Sequence, residues 1–385
     1  MKFDFDLPTD RRGTPSLKWS VAEGELPMWV ADMDFETAPA VKREILKTAE
    51  HGIFGYSITP DSYFDSVAEF FNKRYNMGAS SDEMVFVTGV VPAISSMVRK
   101  LTTPAENVLI QAPVYNIFYN SIRNNGRNIL SSDLVYEDGK YYMDFEDLER
   151  KLCDPQTTLM ILCNPHNPVG RIWTREELMR VGELCKKHGV TVISDEIHAP
   201  LTRPGTAYIP FSSVSETCRE ISAVCVSASK SFNLAGLQSA CVIAHNKHLR
   251  HKIWRGINTD EVGEPNIFAM NASIAAYREG EEWLDSLRDY LFENRRVAEE
   301  YIRANTNKLI PIEADATYLM WVDISGASAD SVDFAEKLRK ETGLFINDGA
   351  EYGECARSFI RVNLATQREN VLLGMKLLCD FANSL

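Results

Sequence analysis

Short apolar runs that end abruptly in polar residues recur through the first two thirds of the chain. Met84-Val85-Phe86-Val87 leads into Thr88-Gly89-Val90-Val91-Pro92, Val108-Leu109-Ile110 into Gln111-Ala112-Pro113-Val114-Tyr115, and Thr158 to Leu162 into Cys163-Asn164-Pro165-His166-Asn167-Pro168-Val169-Gly170. Val190 to Ser194 leads into Asp195-Glu196-Ile197-His198, and Ile221 to Val226 into Ser227-Ala228-Ser229-Lys230. Continuous apolar runs of this length read as strands buried on both faces. Between them the apolar spacing changes to three and four, and Ala38 to His51, Ser62 to Tyr75, Glu146 to Leu152 and Thr174 to His188 read as helices. The alternation predicts an α/β fold, a large domain with a mostly parallel central sheet flanked by helices.

After Lys230 the pattern gives a strand at Ala240 to His245, a helical run at Leu249 to Ile257, and a long helical pattern from Ala269 to Ala304 interrupted near Gly280. Strands at Tyr318 to Val322, Leu344 to Ile346 and Ser358 to Val362 then alternate with helices at Ser331 to Lys340 and Arg368 to Phe381. This predicts a smaller α+β domain. The expected divisions are an N-terminal arm at 1–45, a large domain at 46–280 and a small C-terminal domain at 281–385.

In open parallel sheets, ligands bind beyond the carboxyl ends of the strands, so Asn167, Asp195 and Lys230 are expected to converge on one crevice. A lysine near a buried strand end loses hydration, its pKa falls, and the neutral amine can condense with a carbonyl. A solvated lysine in a strand-to-helix loop is the plain alternative. Gly89, Val90 and Val91 open a helix whose free amides and dipole suit an anion, though such a turn also serves purely structural ends. Tyr115, just past a strand end, could stack on a planar ring, with Tyr119 as its competitor. Arg361 sits inside an apolar strand, where a charge is costly unless paired. It could grip a carboxylate with two parallel hydrogen bonds, or form an internal ion pair.

The ordered set Asn-Pro-x-Gly, Asp-x-x-[Tyr/His] and Ser-x-x-Lys resembles the fold-type I pyridoxal 5'-phosphate (PLP) enzymes of the aspartate aminotransferase superfamily. Leu26 to Phe35, Phe54-Gly55-Tyr56, Asn164 to Gly170, Asp195 to His198 and Ser229-Lys230 to Gly236 are similar to the MalY/PatB-type cystathionine β-lyases, or C-S lyases. The resemblance implies PLP as cofactor, Lys230 as covalent anchor and base, Asp195 at the ring nitrogen, and Asn167 at the phenolic oxygen. Tyr115 would stack on the ring and Arg361 would hold the substrate carboxylate. His198 takes the place where many aminotransferases carry a tyrosine. Ser227, Ser229 and the Gly89–Val91 amides would hold the phosphate, joined by Tyr56 from the neighbouring subunit of a homodimer. An arginine common eight residues after the lysine is Gln238 here. The arm would pack with the small domain and line the substrate entrance, with Asp32 toward the substrate. Trp29, Met33 and Tyr318 read equally as side-chain contacts or as core.

The implied reaction is β-elimination from cystathionine or a related S-substituted L-cysteine. An aminotransferase would use the same ring site, and a regulatory protein retaining PLP is a third reading. No G-x-G-x-x-G follows a strand, which argues against a nicotinamide-binding dehydrogenase. A formal net charge of -13 argues against generic nucleic-acid or anionic-membrane partners. The first residues lack a signal-peptide pattern and no long apolar run occurs, so a cytoplasmic enzyme acting on a small amino acid is expected. The eight cysteines form no C-x-x-C pair and read as reduced core thiols, and the histidine spacing supports no metal site.

Overall fold

The structure is a computed structural model that describes residues 3–385; Met1 and Lys2 of the expected arm lie outside them. Seven strands form the central sheet, in the order Met84–Val87, Ala240–Ile243, Ser222–Val226, Thr191–Asp195, Thr157–Cys163, Asn107–Ile110 and Asn128–Ser131. Only Ala240–Ile243 runs antiparallel to its neighbours. Cys163 pairs with Asp195 and Asp195 with Cys225, so three adjacent strands end level and release their next residues along one edge. Every residue of Ser222–Val226 is buried, as expected for a strand covered on both faces.

The predicted helices lie at Pro39–His51, Asp61–Tyr75, Phe145–Leu152 and Arg175–Lys187. The interruption near Gly280 separates Ala269–Glu279 from Glu281–Asn305. A Cβ on Gly280 would come within 2.4 Å of the Phe232 ring and 2.5 Å of the Ala276 carbonyl. Its missing side chain therefore lets the helix junction close on the segment carrying Lys230. Among the elements absent from the sequence prediction are the helix Asn116–Arg123, the strand Asn128–Ser131 and the hairpin Val135–Glu137 with Lys140–Tyr142. Asn128–Ser131 is a sheet edge with no fully buried residue, so it lacks the apolar run that marks the other strands.

A second sheet, antiparallel throughout, orders Ile310–Pro311, Leu319–Asp323, Phe359–Asn363 and Asn347–Asp348. Its apolar face packs with Met28, Ile302, Leu344, Val371 and Leu378 in one core cluster. Leu26–Pro27 pairs in parallel with Leu344–Phe345, which ties the N-terminal segment to the C-terminal part of the chain.

Beyond that pair the chain runs as an irregular strap from Trp29 to Met33, with side chains meeting each of its carbonyls. Arg361 donates to Trp29 O at 2.9 Å, and Asn363 Nδ2 donates to both Val30 O and Asp32 O. Lys230 Nζ and Tyr318 Oη donate to Ala31 O at 2.6 and 2.9 Å, and Asn233 and Arg11 donate to Met33 O. Backbone outside regular structure needs such partners wherever water is excluded. Asp34 closes the strap through Lys18 at 2.7 Å, Trp19 Nε1 at 2.7 Å and Arg11 at 2.9 Å. Lys18 and Asp34 are both fully buried, and a pair so placed is costly to break.

Candidate active site

The level strand ends open into a cavity of ≈ 270 Å³ roofed by Ala31 of the strap. Its walls include Tyr115, Asn167, Asp195, His198, Ser229 and Lys230, with Gly89, Val90 and Val91 at one end. Ser227 lies beneath the wall: its hydroxyl donates to Ser239 O at 2.6 Å and accepts from Ser229 N. That bond caps the short helix Ala228–Ser231 and orients Lys230.

Asp195 is buried, and the amide of Ile197 donates to its Oδ1 at 3.1 Å. Burial pushes its carboxyl up to about 7, opposed by that amide and by Lys230. Such a carboxylate calls for a cation or a protonated ring nitrogen beside it. Lys230 is half-buried, and removal from water together with the nearby Arg361 lowers its pKa to about 8, against the pull of Asp32 and Asp195. Near neutral pH a useful fraction of its amine is therefore unprotonated. His198 is held neutral, its pKa lowered to about 3 by burial and by the charges of Lys230 and Arg361, and its Nδ1 has no hydrogen-bond partner.

Arg361 is buried in Phe359–Asn363 and reaches Asn167 Oδ1 at 3.4 Å, Asn347 Oδ1 at 2.8 Å and Trp29 O at 2.9 Å. Among the described residues it forms no ion pair with a carboxylate, and its Nε has no partner. The internal ion pair left open by the sequence is therefore not made. A buried guanidinium lined only by neutral acceptors is prepared for an anionic group from outside.

Tyr115 stands at the cavity as the residue before the helix Asn116–Arg123, with its ring against Phe118, while Tyr119 turns away to donate to Tyr352 O at 2.9 Å. The first amides of the helix Val90–Leu101 have no intrahelical acceptor and face the cavity end, where the absence of a side chain at Gly89 permits close approach. Gln238 also lines the cavity. Asp32 is placed differently from the other predicted residues: both of its carboxylate oxygens are taken by Arg11, at 2.8 and 3.0 Å. Trp29 stacks on Phe345 and Met33 is core, whereas Tyr318 bonds the strap. Tyr56 is wholly exposed, on a loop that also exposes Ile53, Phe54 and Ile58.

A family model described as aminotransferase class I and II matches residues 26–374. The chain belongs to this family. Among curated relatives, cystathionine beta-lyase PatB of Bacillus subtilis (strain 168) is 40% identical over 97% of this chain and 98% of its own length. Protein MalY of Escherichia coli (strain K12) is 32% identical over 97% of each. The crystal structure of cystalysin from Treponema denticola, which contains a pyridoxal 5'-phosphate cofactor, superposes with a TM-score of 0.96 at 28% identity, covering both chains completely. The family fold is thus the fold-type I architecture. Among the described residues no group of three or more His, Cys, Asp or Glu is placed to hold a metal, and no helix is long and apolar enough to cross a membrane. All eight cysteines are free, with Cys153 and Cys355 exposed and the others buried.

Proposed function

We propose that the protein is a PLP-dependent carbon-sulfur lyase that removes the thiol from Cβ of cystathionine or a related S-substituted L-cysteine, leaving pyruvate and ammonia. The observation that carries this reading is the convergence of Lys230, Asp195 and the unpaired Arg361 on one strand-end site, in a chain 40% identical along its length to a cystathionine beta-lyase. The donor set fits the cofactor. Asp195 would hold the proton of the ring nitrogen, Tyr115 would stack on the ring, and Asn167 and His198 would meet its phenolic oxygen. The amides of Gly89, Val90 and Val91 and the Ser229 hydroxyl would receive the phosphate. When bound, the cofactor supplies an electron sink for the pair left on Cα.

The remaining work falls to the chain. Arg361 fixes the substrate carboxylate and so aims the Cα–H bond. The neutral fraction of Lys230, enlarged by its lowered pKa, takes the Cα proton at Nζ. The strap excludes water above it, and departure of the thiolate from Cβ completes the elimination. Asp32 acts through Arg11, holding the strap over the site rather than touching the reacting atoms.

The test is incubation of the cofactor-loaded protein with L-cystathionine and no 2-oxo acid, following pyruvate and free thiol together. Equal, catalytic release of both supports the lyase. A strict need for a 2-oxo acid, with a new amino acid accumulating, replaces it with an aminotransferase. Arg361→Ala is expected to raise KM roughly 10- to 100-fold, the worth of a charge-assisted pair of hydrogen bonds, with a smaller change in kcat. An unchanged KM would make Arg361 a structural residue.

The same reading makes the chain a cytoplasmic homodimer, with an arm at 1–45, a large domain at 46–280 and a small domain at 281–385. The exposed apolar loop around Tyr56 supports the dimer, because an uncovered cluster of large apolar side chains favours a protein interface. Tyr56 would then reach the phosphate end of the partner's cavity, where Gln238 supplies no positive charge.

A further inference from the structure

The strap brings together two donors that the reaction does not otherwise connect. Ala31 O accepts from Lys230 Nζ at 2.6 Å and from Tyr318 Oη at 2.9 Å. The first donor stands on the helix Ala228–Ser231, the second beside Leu319–Asp323 of the other sheet. One peptide oxygen is thus shared between the two halves of the structure. Its neighbours are held too: Trp29 O by Arg361, and Val30 O and Asp32 O by Asn363. Tyr318 is buried, and Ala31 O is the acceptor that its hydroxyl uses.

We propose that Tyr318 is a positioning residue: its hydroxyl fixes the Ala31 carbonyl as the docking point for the free amine of Lys230 and keeps that carbonyl from holding the lysine as an ammonium. The proposal rests on Lys230 being the base of the reading above. A carbonyl oxygen that already accepts from a phenol is a weaker acceptor for a second donor. The Tyr318 O–H also points its positive end at the oxygen that Lys230 approaches, and it disfavours a second positive charge there. The docking point therefore orients Nζ without locking its proton in place.

The other charged and titratable groups around Lys230 come from several elements. Arg361, from Phe359–Asn363, opposes a charge on Nζ, and neutral His198 adds none. Asp195, at the end of Thr191–Asp195, favours the charge, as does Asp32 in the strap. Asp32 is itself neutralised by Arg11. Tyr318 is the one of these neighbours that shares Lys230's own acceptor.

The experiment is Tyr318→Phe, which removes the hydroxyl and keeps the aromatic ring. The acid limb of the kcat–pH profile is expected to move up by about half a unit to one unit, because Ala31 O then holds the ammonium more firmly. At neutral pH kcat is expected to fall several-fold with KM nearly constant. A second readout needs no turnover: the pH dependence of PLP capture by the apoprotein, followed by absorbance, is expected to shift in the same direction. Site-specific 3-fluorotyrosine at position 318, a stronger donor, is expected to move both limbs down, which keeps the test decisive if the phenylalanine variant folds poorly. Limbs that stay in place in both proteins would overturn the proposal and leave Tyr318 as a core residue. If the wild type releases no pyruvate but the capture profile shifts as described, the lyase reading fails and the role of Tyr318 stands.

Discussion

Lys230→Ala is expected to abolish pyruvate formation, lowering kcat by at least roughly 10⁴-fold, the upper range for loss of a general base, since the same amine is also the covalent anchor. The fold should survive, because Lys230 is half-buried at a cavity wall and Ala31 O keeps its bond from Tyr318. The checks are pyruvate release in the presence of saturating PLP and thermal unfolding of the same sample. Turnover within tenfold of wild type would remove Lys230 from the chemistry.

Asp195→Asn is expected to act in opposite directions on rate and on stability. Without a carboxylate the ring nitrogen loses the partner for its proton, and kcat should fall on the order of 10³-fold, comparable to the loss of a strong electrostatic stabiliser. The apoprotein should gain stability at neutral pH. Folding raises the Asp195 carboxyl from its ordinary value near 3.8 to about 7, so its contribution to stability is fully present below pH 4 and is lost as pH climbs through 7. A shift of three units corresponds to about 4 kcal/mol. Urea unfolding of both apoproteins at pH 5 and pH 8 should therefore show the advantage of the variant growing with pH. Loaded with PLP, the wild type should lose that handicap, because the buried carboxylate then faces a cation. A pH-independent difference between the apoproteins would mean that Asp195 is already neutral or already paired.

The convergence of Asn167, Asp195 and Lys230 on one cavity was legible because each of them follows an apolar run: Cys163 to Asn167, Ser194 to Asp195, and Val226 to Lys230 mark strand ends that the parallel register then sets level. Helix spacing likewise located Asp61–Tyr75 and the break at Gly280. Hydrogen-bond direction was not legible. The hydroxyl of Ser227 has equal claim on a phosphate or a peptide in the sequence, and only the fold turns it to Ser239 O. Asp32 reads as a polar residue at the entrance, but the basic turn twenty-one residues earlier folds back and Arg11 occupies both oxygens. The strap leaves almost no trace in periodicity, since its contacts run from distant side chains to backbone carbonyls, and any residue type at 29–33 carries the same carbonyl. The edge strand Asn128–Ser131 was missed for the opposite reason: its residues are too exposed to print an apolar run.

The strap also fixes when, during synthesis, a finished site becomes possible. Trp29 and its partner Arg361 stand 332 residues apart, and Asn363 reaches back 331 residues to Asp32. At ~5–20 residues per second, a ribosome needs roughly 15 to 70 s to make the second half of such a contact after the first. During that interval Leu26 has no strand to pair with and Met28 has no core to enter. A nascent chain can complete its parallel sheet and Lys230 while the roof of the cavity is still a loose tether, so a message cut short before Phe359 would yield the anchor without the grip.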